Sequence, residues 1–337
     1  MTLRAKKVVV VVFDGLRPDM VTAQNMPTLA DFAHTGLWFK RSRTVFPSVT
    51  RVATTSFATG APPAVHGIVG NMFHQPDAAP KTLIDTSNLA DIARADAHFG
   101  GRLVTATSLG EALASAGRTM MVVHGGSPGA SWFLNHRAAA NGHWTFSIHG
   151  REATQTPHAV ADAEAVVGPP PPLDLPRHAV VDHCARVMAE VVLPRAPDLA
   201  VMWLPEPDTS FHYREIGSQE TRAVMGTADR AFAAVLDAVR ASPDAGETMV
   251  IALSDHGQLT VSEKMDTAEL FGIEDDIARG DVLLTGGRYG ELRRPDGDRT
   301  RLVEMARRLI AEDKVGHVLA RDDLAAQANL IPFSAVG

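Results

Sequence analysis

Four short, almost purely apolar runs divide the chain at wide intervals. They are residues 7–13 (KVVVVVF), 119–123, 199–204 and 248–253. Continuous β-branched runs of this length are typical of strands buried on both faces of a parallel sheet. Between them lie stretches with helical spacing of apolar residues, so the pattern predicts an α/β protein: a three-layer sandwich around a central, mostly parallel sheet.

The predicted helices fill most of the intervals between the strands. They cover residues 26–33, 51–59, 108–117, 178–192, 221–240 and 300–310. Residues 37–46 are strand-like, whereas residues 72–101 are irregular and residues 135–176 read as a loop or small cap. We therefore predict a single domain over residues 1–337, with insertions at about 72–105 and 135–176 that face the substrate.

Composition and charge argue against a nucleic-acid-binding protein, a disulfide-bonded protein and a membrane protein. The formal net charge of −7 and the lack of a basic stripe argue against binding of nucleic-acid duplexes. The single cysteine, Cys184, suits a reducing compartment and rules out an internal disulfide. No apolar run is long enough for a membrane span, and no signal-peptide pattern follows the first basic residues, so we expect a cytoplasmic protein that does not enter a membrane.

Residues 46–71 (FPSVTRVATTSFATGAPPAVHGIVGN) predict a helix start that presents a hydroxyl. A helix from about Arg51 to Thr59 would place Thr50 at its amino end, where unpaired N–H groups and the helix dipole favour an anion. Gly60 would end the helix. The alternative is an ordinary cap, in which Thr50 only accepts a backbone hydrogen bond.

Acidic residues follow three of the apolar runs. Asp14 comes directly after the first, Asp208 follows the third with His212 four residues on, and Asp255 follows the fourth with His256 beside it. Each could be a turn cap or a surface pair when taken alone. Together at one edge of a sheet they would repel one another unless a cation lay between them, and mixed Asp/His ligands suit zinc, with manganese or iron as alternatives. Two divalent ions are the usual device for clamping a phosphoryl group.

Four motifs now give the chain a family resemblance. They are FDGLRPD at residues 13–19, TRVATTSFATGAPPAVHGIVGN at 50–71, PDTSFH at 207–212 and SDHG at 254–257. In this order they resemble the alkaline phosphatase superfamily, and within it the type I phosphodiesterase/nucleotide pyrophosphatase group and the related phosphonoacetate hydrolase. The resemblance implies an alkaline phosphatase-like fold and hydrolysis of a small phosphorylated or phosphonate substrate.

The resemblance also implies roles for individual residues. Asp14, Thr50, Asp255 and His256 would hold one ion, and Asp208 and His212 would contribute to the other. Thr50 would attack phosphorus and form a phospho-threonine intermediate, which water activated at the second ion would hydrolyse.

Two positions depart from the family pattern. Ala53 stands where the relatives have an asparagine that contacts substrate, so Arg51 or Asn71 is expected to substitute for it. The relatives also supply a late histidine to the second ion, whereas His317 is the only histidine after His256. We therefore expect a chain that is short at its C-terminus, with His317 as the candidate substitute and an activity that is impaired.

Three functions remain open at this point. The first is a hydrolase of phosphodiesters or nucleotide pyrophosphates, and the second is a phosphonate hydrolase, suggested by the stretch 59–67. The third is a non-catalytic protein that has kept one metal or phosphate site and lost the other. Neither the oligomeric state nor the substrate follows from these residues.

Overall fold

The computed structural model contains the parallel sheet that the apolar runs predict. It describes residues 5–75, 77–78, 83–272, 277, 281–286, 289–294, 298–312 and 315–335. The strands are β1 Lys7–Phe13, β2 Met72–Phe73, β3 Ile84–Asp85, β4 Met120–His124, β5 Trp144–Ser147, β6 Leu199–Leu204, β7 Thr248–Leu253, β8 Val282–Gly286, β9 Tyr289–Arg293, β10 Leu319–Ala320 and β11 Ile331–Pro332.

Helices occupy the intervals between the strands. They are α1 Pro27–Thr35, α2 Thr50–Thr59, α3 Pro63–His66, α4 Leu89–His98, α5 Leu109–Ser115, α6 Pro128–Leu134, α7 Pro157–Val167, α8 His178–Arg186, α9 Asp208–Tyr213, α10 Gln219–Ala241, α11 Thr267–Phe271, α12 Arg299–Ile310 and α13 Asp322–Ala328. Helix α8 continues as a π-helical segment over Val187–Val192. Helix α5 begins with a capping box, in which the side chains of Ser108 and Glu111 each bond the other residue's backbone N–H.

The central sheet has five parallel strands in the order β5, β4, β6, β1, β7. Successive residues of β1 point to opposite faces. Val9, Val11 and Phe13 pack in a core with α1, α7, α8 and α10. Val10 and Val12 belong to a second core, which includes residues of α2 and α5. The three-layer α/β sandwich is therefore confirmed.

The strand predicted over residues 37–46 is wrong. These residues are irregular and largely exposed, with Leu37 88% and Phe39 76% accessible. The apolar positions alternate irregularly with Lys40, Arg41 and Arg43, so no continuous apolar face exists for a sheet to bury.

The interpretation of residues 135–176 as a loop or small cap is also wrong. The range contributes β5, an edge strand of the central sheet, and the helix α7. The strand escaped detection because it has four residues, of which Thr145 and Ser147 are polar. The Thr145 hydroxyl accepts a hydrogen bond from the Asn135 side-chain amide (3.3 Å), and the backbone N–H of Thr145 donates to the Thr156 hydroxyl (2.8 Å). These buried polar groups are therefore paired.

Residues 72–101 contain more regular secondary structure than the sequence indicates. It holds the hairpin of β2 and β3 and the helix α4, whose amino end is capped by Asn88. Residues 76 and 79–82 lie outside the described residues. That this range and residues 135–176 are insertions stays a prediction.

No helix within the described ranges has both the length and the apolar character needed to span a membrane.

Candidate metal centre

Three neighbouring strands deliver the three predicted acids to one edge of the sheet. Asp14 follows β1, Asp208 comes four residues after β6 and begins α9, and Asp255 lies two residues after β7. Since β6, β1 and β7 are adjacent and parallel, their carboxyl ends meet. This is the edge where open α/β sheets bind ligands. Asp14 and Asp255 are almost fully buried there, with 4% and 5% of their surface exposed.

Gly15 brings the three acids into contact. Its N–H donates to Asp255 Oδ1 (3.1 Å), and the Asp208 N–H donates to the Asp14 carbonyl oxygen (2.9 Å). The φ of Gly15 is +73°, and a Cβ there would lie 2.8 Å from Asp208 Cβ. Only glycine combines that backbone conformation with so close an approach.

Thr50 is the first residue of α2 and not its cap. Val49 occupies the cap position, and no side chain caps the helix. The Thr50 Oγ1 instead lies 3.0 Å from His256 Nε2. The capping alternative is therefore wrong, and the helix begins one residue earlier than the sequence predicts.

His256 Nε2 lies close to three oxygen atoms. Besides Thr50 Oγ1, these are Asp14 Oδ1 at 3.5 Å and Asp255 Oδ2 at 3.4 Å. Ligand atoms about 2.1 Å from one ion stand about 3.0 Å apart at a right angle and about 3.4 Å apart at the tetrahedral angle. The distance from His256 Nε2 to each of these three oxygens is thus one that two ligands of a single divalent ion have.

Two buried carboxylate oxygens at the site lack a hydrogen-bond partner among the described residues. They are Asp14 Oδ1 and Asp255 Oδ2. A buried, unpaired carboxylate oxygen is costly, and a cation removes that cost. Ligand atoms of Asp14, Asp208 and His256 also lie within 4.8 Å of one another, so Asp208 approaches the same centre. The residues present therefore fit a divalent metal ion.

The surroundings hold the carboxyl groups toward their neutral forms. Burial, followed by the charges of Asp255 and Asp208, raises the pKa of Asp14 well above its usual range. Burial also raises the pKa of Asp255 to about 7, against the opposing hydrogen bond from the Gly15 N–H. An ion must displace protons to bind here, so its affinity depends on pH.

The metal-free protein is expected to lose stability as the pH rises from about 4 to 7. The folded-state pKa of Asp255, about 7, exceeds the unfolded value, so the folded state binds the proton more tightly. The contribution of this proton to the free energy of unfolding is complete below the unfolded-state pKa. Between the unfolded-state and folded-state pKa values it falls by about 1.4 kcal/mol for each pH unit. Urea unfolding in a chelator at several pH values measures this. The decrease of the free energy of unfolding with pH should be smaller in Asp255→Asn than in the wild type. An equal decrease in the two proteins would contradict the raised pKa of Asp255.

Asp208 and His212 form a separate pair across one turn of α9. The His212 Nε2 lies 3.4 Å from Asp208 Oδ1. The hydrogen bond with Asp208 raises the pKa of His212, despite partial desolvation. A neutral side chain also joins this pair, since Gln258 Nε2 lies 2.8 Å from each of these two atoms. Sequence reasoning missed Gln258, although it directly follows the SDHG motif.

Trp203 is a second residue that the sequence did not reveal. Its indole N–H donates to Asp14 Oδ2 (3.1 Å), which fixes that oxygen and leaves Oδ1 facing His256. The indole stacks on the buried His124 ring, with centroids 5.6 Å apart. Burial lowers the pKa of His124 to about 3, so this imidazole is neutral. The only signal was an aromatic donor near the end of a ligand-bearing strand.

The predicted substrate-binding residues lie beside the start of α2. The Arg51 N–H donates to Asn71 Oδ1 (3.2 Å), and the Arg51 Nε donates to Thr86 Oγ1 (3.2 Å). Ala53 is buried and lines a cavity of about 240 Å³ that also borders Asp255. The position at which the family resemblance implies an asparagine thus borders open space next to Asp255.

His317 is not part of this cluster of ligand atoms. It is exposed, in the irregular segment before β10. The group of close ligand atoms in the described residues is formed by Asp14, Asp208 and His256, and it contains neither His317 nor Asp255 nor His212. The histidine of the stretch 59–67 has a structural role. His66 is buried, its Nε2 bonds the Ser56 hydroxyl (2.8 Å) and its Nδ1 accepts from the Ile68 N–H (3.1 Å).

A comparison with protein families decides the family of the chain. The profile of type I phosphodiesterase / nucleotide pyrophosphatase matches residues 8–330. The chain belongs to this family. The resemblance drawn from the four motifs, including the placement in the alkaline phosphatase superfamily, is thereby confirmed. No curated protein sequence matches the chain.

Solved structures of family relatives share the fold. Phosphonoacetate hydrolase from Sinorhizobium meliloti 1021, in complex with phosphonoformate, has a TM-score of 0.69 and 21% identity, over 99% of this chain and 79% of that one. The complex of the same enzyme with phosphonoacetate has a TM-score of 0.68 and 20% identity. An inactive variant of murine ectonucleotide pyrophosphatase/phosphodiesterase 5, in complex with AMP, has a TM-score of 0.59 and 16% identity, over 89% of this chain and 69% of that one. The alkaline phosphatase-like fold is therefore confirmed.

Proposed function

We propose that this family member is a metal-dependent hydrolase of phosphoester bonds, with Thr50 as its nucleophile. One observation carries the proposal. The Thr50 hydroxyl lies at the start of a helix, 3.0 Å from His256 and beside two buried carboxylates that each have an unpaired oxygen. A threonine in an ordinary helix start would have no reason to approach such a cluster.

The metal ions have candidate ligands on both sides of the cluster. Asp14, Thr50, Asp255 and His256 would hold one ion, and Asp208 and His212 would take part in holding the other. A bound divalent ion would lower the pKa of the Thr50 hydroxyl and neutralise charge on the phosphoryl oxygens.

Thr50 and its helix supply the remaining chemistry. The Thr50 oxygen forms a bond to phosphorus as the bond to the departing oxygen breaks, and the proton of the hydroxyl is passed to the departing oxygen. This leaves a phospho-threonine and a free alcohol or nucleotide. Water then breaks the threonine–phosphorus bond and restores the hydroxyl. Helix α2 directs its partial positive charge at the phosphoryl group throughout, because Thr50 is its first residue.

A phosphonate is the second candidate substrate. A phosphonoacetate hydrolase shares the fold over 99% of this chain. The cavity lined by Ala53 and Asp255 offers space of about 240 Å³ beside one of the proposed metal ligands. Substrate class is decided by such loops and cavities and not by the fold.

Substrate and metal are tested together. The protein is stripped of metal, reloaded with Zn²⁺ or Mn²⁺, and assayed with bis-p-nitrophenyl phosphate, p-nitrophenyl phosphate and phosphonoacetate. We expect metal-dependent release of p-nitrophenol, with the diester turned over faster than the monoester. Phosphate release from phosphonoacetate alone would favour the phosphonate hydrolase. Binding of metal without turnover of any of the three would indicate the non-catalytic protein.

A further inference from the structure

The side-chain amide of Gln258 lies between the two residues expected at the second ion. Its Nε2 is 2.8 Å from Asp208 Oδ1 and 2.8 Å from His212 Nε2, and these two atoms are 3.4 Å apart. The three atoms therefore form a small triangle. The other end of the amide, Gln258 Oε1, is buried without a hydrogen-bond partner in the part of the chain that the structure describes.

The triangle has the dimensions of three ligands on one ion. Atoms about 2.1 Å from an ion stand about 3.0 Å apart at a right angle and about 3.4 Å apart at the tetrahedral angle. A carboxylate oxygen requires a donor when no ion is present, so the NH₂ group faces Asp208. A half-turn about the last side-chain bond of Gln258 would exchange Nε2 and Oε1, which have nearly the same size. It would put an oxygen acceptor at the same corner of the triangle.

We propose that the amide oxygen of Gln258 is the third protein ligand of the second ion, beside Asp208 and His212. In the metal-free protein the amide NH₂ fills the place of the cation by donating to both partners. When the ion enters, the amide turns and its oxygen leaves the buried position in which it lacks a partner. This inference rests on the two-ion site of the proposed function, and it assigns to Gln258 the position expected of His317.

The ligand set indicates which ion the site prefers. One carboxylate oxygen, one amide oxygen and one imidazole form a harder set than a site with two histidines. Carbonyl and carboxylate oxygens suit Mn²⁺ and Mg²⁺, whereas imidazole also suits Zn²⁺. The second site should therefore bind Mn²⁺ well. Replacing the amide by a side chain without an oxygen should weaken the binding of Mn²⁺ at this site, and replacing it by a carboxylate should strengthen it.

The test is the number and affinity of bound Mn²⁺ ions, which does not depend on catalysis. Metal-free full-length protein is titrated with Mn²⁺ and free ion is followed by electron paramagnetic resonance. We expect two ions per chain in the wild type. Gln258→Ala should keep the first and bind the second about 10-fold more weakly or worse, while Gln258→Glu should bind the second more tightly. Gln327→Ala, an exposed glutamine on α13, is the matched control and should change neither affinity.

Each other outcome overturns the assignment. A single ion in the wild type, or a second ion that Gln258→Ala binds as tightly as the wild type, would show that the amide is not a ligand. Tighter binding of the second ion by Gln258→Ala would show that the amide blocks the site. Near-ultraviolet circular dichroism shows that each variant is folded. If two ions bind with the expected ranking but no phosphoester or phosphonate is hydrolysed, the proposed function fails and the Gln258 assignment stands.

Discussion

Replacing Thr50 by alanine should lower kcat for the preferred phosphoester by about 10⁴-fold or more. The change removes the oxygen that would bond to phosphorus, and loss of a covalent nucleophile has effects of this order in other hydrolases. Thr50→Ser keeps a hydroxyl at the same place and should retain measurable turnover. Steady-state rates with bis-p-nitrophenyl phosphate in metal-loaded protein make the comparison.

A buried hydroxyl in the same helix provides the control for this prediction. The Thr55 Oγ1 donates to the Arg51 carbonyl oxygen (2.7 Å) and takes no part in the cluster. Thr55→Ala should therefore lower stability by about 1 kcal/mol and leave kcat within a few-fold of the wild type. Turnover in Thr50→Ala equal to that of Thr55→Ala would remove Thr50 from the chemistry.

Replacing Asp14 by asparagine should have opposite effects on metal binding and on metal-free stability. Asparagine keeps an oxygen that can accept from the Trp203 indole, but it removes the negative charge of a proposed ligand whose Oδ1 lies 3.5 Å from His256 Nε2. We expect the affinity for the first ion to fall by at least about 100-fold, and hydrolysis with it. The metal-free variant should be more stable than the wild type at neutral pH, by about 1 to 3 kcal/mol, because the wild-type carboxyl must there either keep a proton or bury a charge facing Asp208 and Asp255.

Metal titration and urea unfolding, the latter in a chelator, measure the two effects. Asp19→Asn is the matched control, since Asp19 lies in the same sequence motif but is exposed and paired with Arg17. That variant should bind metal as the wild type does. An Asp14→Asn protein that binds the first ion normally, or that is less stable than the wild type without metal, would contradict the role assigned to this carboxylate.

The parts of the fold that the sequence revealed are those with strong local signals. The strand β6 begins and ends where its apolar run does, because a strand buried in the middle of a sheet needs apolar side chains on both faces. The run of β7 also matches its strand, although β7 lies at the edge of the sheet and is only partly buried. The acids at their ends were also visible, since packing gives no reason for a carboxylate there. The start of α2 was predicted to within one residue from Thr50 and Gly60.

The parts that the sequence did not reveal depend on neighbours distant along the chain. Strand β5 has four residues and is recognisable only by its pairing with β4. Residues 37–46 have apolar side chains but no strand to pair with among the described elements. Trp203 and Gln258 are neutral, and each resembles an ordinary strand or loop residue until the folded chain places it against a carboxylate.

The order of strands in the sheet has a consequence for the synthesis of the protein. The N–H of Gly15 bonds a carboxylate 240 residues further along the chain, and β1 pairs with both β6 and β7. The first strand therefore leaves the ribosome long before either of its neighbours exists. Until β6 emerges, the valines of β1 have no strand of the sheet to pair with, so transient contacts or a chaperone would have to shield them. The other side of β1 stays unpaired until β7, which ends two residues before Asp255, has also emerged. The edge of the sheet that carries the three acids is thus completed late in synthesis, although its first acid is at position 14.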